Sequence, residues 1–195
     1  MSGWNQKREV MERYDLTAHM YDMRYAEEQD AKFEVALKIV NIDRHNIVLD
    51  AGCGTGLLFE YVAAKAETIV GLDISRKILS LAKERAGKFQ NVHLILADAD
   101  NTPLKRNIFS HIFAFTLIQN TPNAVETLNE IGRVANLDAF IVISGLKKAF
   151  TKRRFKDLLQ NTGLRIIALK DAGLKCYVAV CTPTKSDRTY GFLLD

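Results

Sequence analysis

The stretch 48-VLDAGCGTGLLFEYVA-63 constrains this chain more than any other. An apolar run, 46-NIVLD-50, ends in an aspartate. Glycines follow at 52, 54 and 56, and then an amphipathic pattern begins. A strand that hands over to a helix through three glycines is a turn stripped of side chains. Such turns occur where backbone must adopt unusual dihedrals or approach a bound group closely. The other segments narrow down which group this is.

The pattern along the chain alternates. Residues 4–25 and about 28–41 show helical spacing, the second with Phe33, Leu37 and Val40 on one face. After the glycine turn a helix runs to about 66. A second strand, 68-TIVGLD-73, leads into 75-SRKILSLAKERA-86, with Ser75 as N-cap and Gly87 as stop. Strand three is 92-VHLILAD-98 and strand four about 109–116. A helix over 122–135 opens with a proline, and strand five is 139-AFIVISG-145. A basic helix over about 150–162 precedes two last strands, 164–171 and 175–182, joined by 171-DAGL-174. Strands alternating with helices predict an α/β, doubly wound, mostly parallel sheet with helices on both faces. The last two strands are too close for a helical crossover, so one of them is expected to run antiparallel. The ligand of such a sheet belongs at the carboxyl ends of its strands, near strand one.

The chain has 195 residues, 48% of them hydrophobic, and its longest apolar runs are far too short to span a bilayer. No signal-like segment opens it, so a soluble cytoplasmic protein is expected. Cys53, Cys176 and Cys181 are odd in number and lack CxxC spacing, which predicts free thiols. The histidines at 19, 45, 93 and 111 have no ligand spacing with them, and no metal is expected. The net charge is only +4 but is unevenly placed. Residues 1–30 carry four basic and seven acidic side chains, residues 147–175 nine and two. Such asymmetry marks either an anionic partner or a solvated helix face.

Three ligands compete for the glycine turn. A phosphate-binding loop would need GxxxxGK[ST], and no lysine follows the glycines. A dinucleotide fingerprint needs a third small residue where Leu57 stands, a weaker fit. The third is a nucleoside without a pyrophosphate, S-adenosylmethionine. Asp73 ends strand two, where a carboxylate accepts from ribose hydroxyls. Asp98 ends strand three, where a carboxylate receives an adenine amine and the Ala99 N–H faces a ring nitrogen. Asp50 places negative charge near the cofactor's ammonium. A sulfonium and an ammonium suit this acidic rim, whereas a diphosphate would be repelled.

The motifs resemble those of the class I S-adenosylmethionine-dependent methyltransferases. VLDAGCGTG is similar to the first motif of that superfamily, GLDIS to the ribose-binding second and LADADNTPL to the adenine-side third. The segment 14-YDLTAHMYD-22 resembles the opening of the ubiquinone/menaquinone-biosynthesis-like (type 11) group, and the likeness covers about residues 14–182. It implies a Rossmann-like, seven-stranded sheet in order 3-2-1-4-5-7-6 with strand seven antiparallel. The chain length predicts one domain over 1–195, with N-terminal helices over 1–41 that in this family close over the cofactor as a lid, a core over 46–182 and a tail over 183–195. By motif, Gly52, Cys53, Gly54 and Gly56 line the methionine and ribose, Asp73 the ribose, and Asp98 with Ala99 the adenine. Ile74 and Phe115 complete the expected contacts. Cys53 is then a small packed residue, not a nucleophile.

Methyl transfer from a sulfonium is an in-line displacement that needs alignment and a dry site more than a catalytic side chain. The acceptor site is expected after strand four, in 114-AFTLIQNTPN-123, which lacks the [ND]PP[YF] of enzymes that methylate exocyclic amines. Gln119 and Asn120 are candidates to position a polar acceptor, unless Asn120 and Thr121 simply cap the following helix. Tyr14, Tyr21 and Tyr25 share one stripe if the first helix is continuous, and Tyr21 is the candidate to touch substrate or cofactor. Three functions remain: a methyltransferase for a small molecule; an RNA methyltransferase using the basic 147-KKAFTKRRFK-156; and a non-catalytic subunit that binds S-adenosylmethionine. Strand three, as an apolar edge over 92–97, offers a place for an activating partner.

Overall fold

A computed structural model of the chain describes residues 3–184, without the side chains of His19 and Tyr21. Most of the tail expected over 183–195 therefore lies outside the described residues. Helix α1 spans Gly3–Thr17, a 3₁₀ turn Ala18–Met20 and α2 Tyr21–Leu37. Then follow β1 (Ile47–Ala51), α3 (Phe59–Val62), β2 (Thr68–Asp73), α4 (Arg76–Ala86), β3 (Val92–Leu96) and β4 (Phe109–Ala114). The chain continues through α5 (Ala124–Val134), β5 (Ala135–Leu146), α6 (Lys152–Asn161), β6 (Leu164–Lys170) and β7 (Cys176–Pro183).

The seven strands form one sheet in the order β3-β2-β1-β4-β5-β7-β6. β7 runs antiparallel to both its neighbours, and the pairings from β3 to β5 are parallel. Strict alternation along the central strands divides the core in two. Val48, Phe113, Val142, Val178 and Val180 pack with Phe33 of α2, Phe59 of α3 and Leu79 of α4. Leu49, Ile112, Ile141, Ile143 and Ala179 pack on the other face with Leu128 and Ile131 of α5 and Phe155 and Leu159 of α6. Central strands buried on both faces need this two-sided apolar character.

The helix boundaries depart from expectation where side chains interrupt the backbone ladder. The expected break near 26–28 is absent, because 26-AEEQDAKFEV-35 is made largely of good helix formers. The break falls at 18–20 instead, just after Thr17 turns its hydroxyl back to the Arg13 carbonyl at 3.0 Å. Tyr14 and Tyr25 therefore lie on different helices. The helix expected to reach 66 is a single turn, α3. Beyond it, the Asn91 amide takes the Ala63 and Ala66 carbonyls at 2.9 Å each. The cap of α5 is Asn123, which accepts from the Val125 N–H, and neither Asn120 nor Thr121 fills that role. Ser75 caps α4 as expected, accepting from the Ile78 N–H. β5 starts four residues early, at Ala135, across a register shift opposite Phe109 and His111.

Helix α1 buries none of its side chains. Polar contacts hold it across the carboxyl end of the sheet. Lys7 reaches Asp98 and Asp100, Asp15 accepts from the Ser75 hydroxyl, and Arg13 and Tyr14 meet Asn120. Among the described residues no helix is long and apolar enough to cross a membrane.

Candidate active site

The glycine turn leaves β1 with its N–H groups aimed at β2. The Gly52 and Cys53 amides donate to the Leu72 carbonyl at 2.8 and 2.9 Å. The Gly54 amide donates to Asp73 Oδ2 at 3.0 Å, and the Ser75 amide to Oδ1 at 2.9 Å. All three glycines have positive φ, 73°, 57° and 79°, which a residue with a Cβ adopts only at a cost. Their second roles differ. A Cβ on Gly52 would meet Leu117 at 3.0 Å; one on Gly56 would stand 2.3 Å from the Phe59 ring. Gly56 thus makes room for a core phenylalanine, and it lines none of the site's cavities, contrary to expectation.

A cleft opens over this turn. Gly52, Gly54, Asp73, Ile74, Asp98, Ala99 and Phe115, seven of the expected cofactor contacts, line it together. Asp98 accepts from the Asp100 N–H at 3.0 Å and from Lys7 at 2.5 Å. Burial raises the Asp73 pKa against the opposing hydrogen bonds from Ser75, Gly54 and Ile74. Asp50 and Cys53 are set back in a smaller recess with Gln29, Phe33 and Thr55, joined to the cleft at Gly52 and Phe115. Burial and then the neighbouring Asp73 charge push the Asp50 carboxyl up to about 8. The Cys53 thiol, buried and facing both carboxylates, is raised well above its ordinary value and is no nucleophile.

A second and wider cleft adjoins the first, and the two share Tyr14, Thr116 and Asn120. Gln119 lines this second space, as do Tyr25 and the buried Lys32. Thr116, which directly follows the last Phe of 113-FAF-115, has φ 56°, a genuine outlier for a β-branched residue. Four contacts hold it there. Its N–H donates to the buried Ser144 hydroxyl at 2.8 Å, and its carbonyl accepts from the Asn120 amide at 2.6 Å. Its hydroxyl accepts from Lys32 at 3.1 Å and Gln29 at 3.4 Å.

Sequence reasoning missed Lys7, Lys32 and Thr116. Lys32 had a signal: it stands on the stripe 29, 32, 33, 36 and 40, where every other member is buried and none is charged. The side chains of Tyr21 and His19 lie outside the described residues. His45 and His93 are exposed, and His111 is buried within β4. Among the described residues no group of three His, Cys, Asp or Glu is placed to hold a metal. In the basic segment Phe155 is fully buried and Phe150 packs beside it, while Lys152 pairs with Asp171 and Arg153 with Asp157.

A protein-family profile described as "Methyltransferase domain" matches residues 49–143, from within β1 into β5. The chain belongs to the class I S-adenosylmethionine-dependent methyltransferases. The chain is 30% identical over 152 residues to malonyl-[acyl-carrier protein] O-methyltransferase of a Marinomonas species, a match over 76% of this chain and 55% of that one. It is 31% identical over 110 residues to demethylmenaquinone methyltransferase of Staphylococcus haemolyticus, covering 54% and 46%. The chain thus spans about half the length of the curated relatives it matches. Its fold superposes on a methyltransferase of Aquifex aeolicus with a TM-score of 0.71 at 20% identity, covering 78% and 89% of the two chains. A complex of the Haloferax volcanii Trm112 methyltransferase activator with a methyltransferase gives 0.79 at 13% identity, covering 91% and 98%. At these identities the structural likeness is one of fold.

The residues present fit the cofactor of this family. The cleft combines side-chain-free backbone, a carboxylate at the end of β2 and another just past β3. The recess behind it holds a carboxyl that a cation would ionise.

Proposed function

We propose that the chain transfers a methyl group from S-adenosylmethionine, held over the glycine turn, to a small molecule seated in the second cleft. The observation that carries this reading is the shared wall of Tyr14, Thr116 and Asn120, where two separately lined cavities meet. The cofactor supplies an electrophilic methyl on a sulfonium. Asp73 would accept from the ribose hydroxyls, Asp98 and the Ala99 N–H would meet the adenine, and Asp50 would face the ammonium. Gly52, Gly54, Ile74 and Phe115 shape the walls, and Cys53 fills the turn. Thr116 and Asn120 set the direction from which an acceptor approaches, and Gln119 is a polar contact for it. Bound there, the cofactor would supply a methyl that an acceptor lone pair displaces from the sulfonium, the bonding pair staying on sulfur, and the part of this chain would be to align the two and exclude water.

Among the described residues, the second cleft has one carboxylate, Glu28. Burial alone would raise it, but hydrogen bonds from Lys32 and then Lys175 hold it below the usual range. Being already paired, it is a poor general base, and an acceptor atom that arrives nucleophilic suits this site best.

The packing of Phe150 and Phe155 speaks against a basic segment laid along RNA, because Phe155 is fully buried against Tyr177 and Phe150 is half-buried beside it. Cytoplasmic residence belongs to this reading and is supported by three free, buried thiols. We infer also that the β3 edge accepts a strand of an activating partner. Leu96 on it is 46% exposed, and a structural neighbour was solved with an activator.

Tritium-labelled S-adenosylmethionine, incubated with protein and host extract, tests the reaction. Label is counted separately in small molecules, RNA and protein, with Gly54→Val as the blank. Transfer into small molecules supports the reading, and transfer into RNA alone refutes it.

A further inference from the structure

The second cleft is strongly cationic. Arg13, Arg24, Lys32, Lys147, Lys148 and Lys175 line it against the single carboxylate of Glu28. Glu28 is already engaged by Lys32 at 2.9 Å and Lys175 at 3.4 Å. Among the described residues Arg13, Arg24, Lys147 and Lys148 have no carboxylate partner. Arg13 donates to the Asn120 amide oxygen at 3.0 Å, and Lys147 to the Asp171 carbonyl at 2.8 Å. These four cations come from α1, α2 and the turn after β5. The fold gathers them; no single basic run does so. The exposed cations of α6, Arg153, Arg154 and Lys156, do not line the cleft.

A second observation points the same way. Both side-chain polar atoms of Gln119, its Oε1 and its Nε2, are buried and lack a hydrogen-bond partner. The residue lines this same cleft. Leaving a buried amide unsatisfied is costly, so native structures seldom keep one without a use for it. A bound molecule with a polar body would satisfy it. Cations inside a concave, low-dielectric wall also concentrate anions far better than the same charges on an open surface.

We propose that this cleft selects a small organic anion as the methyl acceptor. Its carboxylate or phosphate is held among Arg13, Arg24, Lys147 and Lys148, and its polar body by Gln119. This assignment rests on the methyl-transfer reading above and adds the chemical class of its acceptor. The recessed position of Lys32, 1% exposed at the base of the cleft, favours a small molecule over a polymer that would bridge the rim.

The test uses citrate and inorganic pyrophosphate as probes, titrated calorimetrically at low ionic strength. The proteins are the wild type, the double variant Arg24→Glu/Lys148→Glu and the control Arg153→Glu. Arg153 has a side chain 92% exposed, lies outside the cleft and gives the same charge change per site. The expected result is that the double variant binds at least one probe about tenfold or more weakly, while the control is unchanged. Preference for citrate assigns a carboxylate, and preference for pyrophosphate a phosphate. Equal weakening in the control, or no probe binding by the wild type, overturns the proposal. In the labelling assay, product counts should be retained on an anion-exchange resin and fall in the double variant. Label in RNA, protein or uncharged molecules also overturns it. Titrating S-adenosylmethionine into the same proteins separates the two readings. Intact cofactor binding without anion binding sinks this proposal alone. Absent cofactor binding in the wild type sinks the methyl-transfer reading, and the anion titration still reports on the cleft.

Discussion

The ammonium of Lys32 donates to the Thr116 hydroxyl at 3.1 Å, from a side chain that is 1% exposed. This bond ties the middle of α2 to the strained residue after β4. Lys32 also pairs with Glu28 at 2.9 Å, one turn back on the same helix. Removing one partner from a buried ion pair costs about 3–5 kcal/mol when both ions are dry. The Glu28 side chain is 24% exposed and retains Lys175, so the loss here is smaller. We predict that Lys32→Ala lowers unfolding stability by ~2 kcal/mol and lets Thr116 relax. Urea unfolding measures the first, and a loss under about 0.5 kcal/mol would contradict it.

Asp50 makes stability depend on pH in the unusual direction. Its folded pKa, about 8, lies above the ordinary carboxylate value of 3.8, and Asp73 is raised as well. Between those values the folded chain binds more protons than the unfolded one, so stability falls as pH rises from about 4 through about 8. Asp50→Asn should flatten that decline. Cofactor binding should release a proton at neutral pH, because a cation beside Asp50 favours its ionised form. Calorimetry in buffers of different ionisation enthalpy reads this release, and a release that survives in Asp50→Asn would refute the assignment.

Lys7 bridges Asp98 at 2.5 Å and Asp100 at 2.7 Å, and so ties α1 over the cofactor cleft. That helix buries no side chains of its own, and polar contacts hold it: those of Lys7 and those of Arg13, Tyr14 and Asp15. Lys7→Ala should speed cofactor dissociation about tenfold while global stability moves by less than ~1 kcal/mol, as expected for a local opening. Stopped-flow release measures the rate. An unchanged rate would mean that α1 does not gate the cleft.

Gly56 separates folding from binding within one motif. A methyl there meets the Phe59 ring at 2.3 Å in a backbone at φ 79°. Gly56→Ala is predicted to cost about 2–4 kcal/mol of stability. Cofactor affinity of the remaining folded protein should hold within about threefold. A thermal scan and a titration below the transition together check both parts.

The sheet order was legible in the sequence through the motif resemblance, and of the three acids at successive strand ends Asp73 and Asp98 line the cleft while Asp50 lies in the recess behind it. The succession of apolar strand runs and helical segments was legible locally, as was Ser75, a cap with its own side-chain signal. What escaped depends on distant contacts. Nothing near Lys7 announces Asp98, 91 residues away. The positive φ of Thr116 is held by Lys32, Gln29 and Ser144, none of them a sequence neighbour. Spacing alone cannot tell a glycine that faces a ligand, as Gly52 and Gly54 do a cleft, from one that faces the core, as Gly56 does.

The most direct test is a calorimetric titration of S-adenosylmethionine into the wild type and Asp73→Ala. Asp73 holds the Gly54 and Ser75 amides and is the ribose acceptor in this account. Loss of charge-assisted bonds of this kind, ~1.5–3 kcal/mol each, predicts affinity weaker by about 10–150-fold in a variant that still unfolds cooperatively. Equal affinity in the two proteins would place the cofactor somewhere other than the glycine turn.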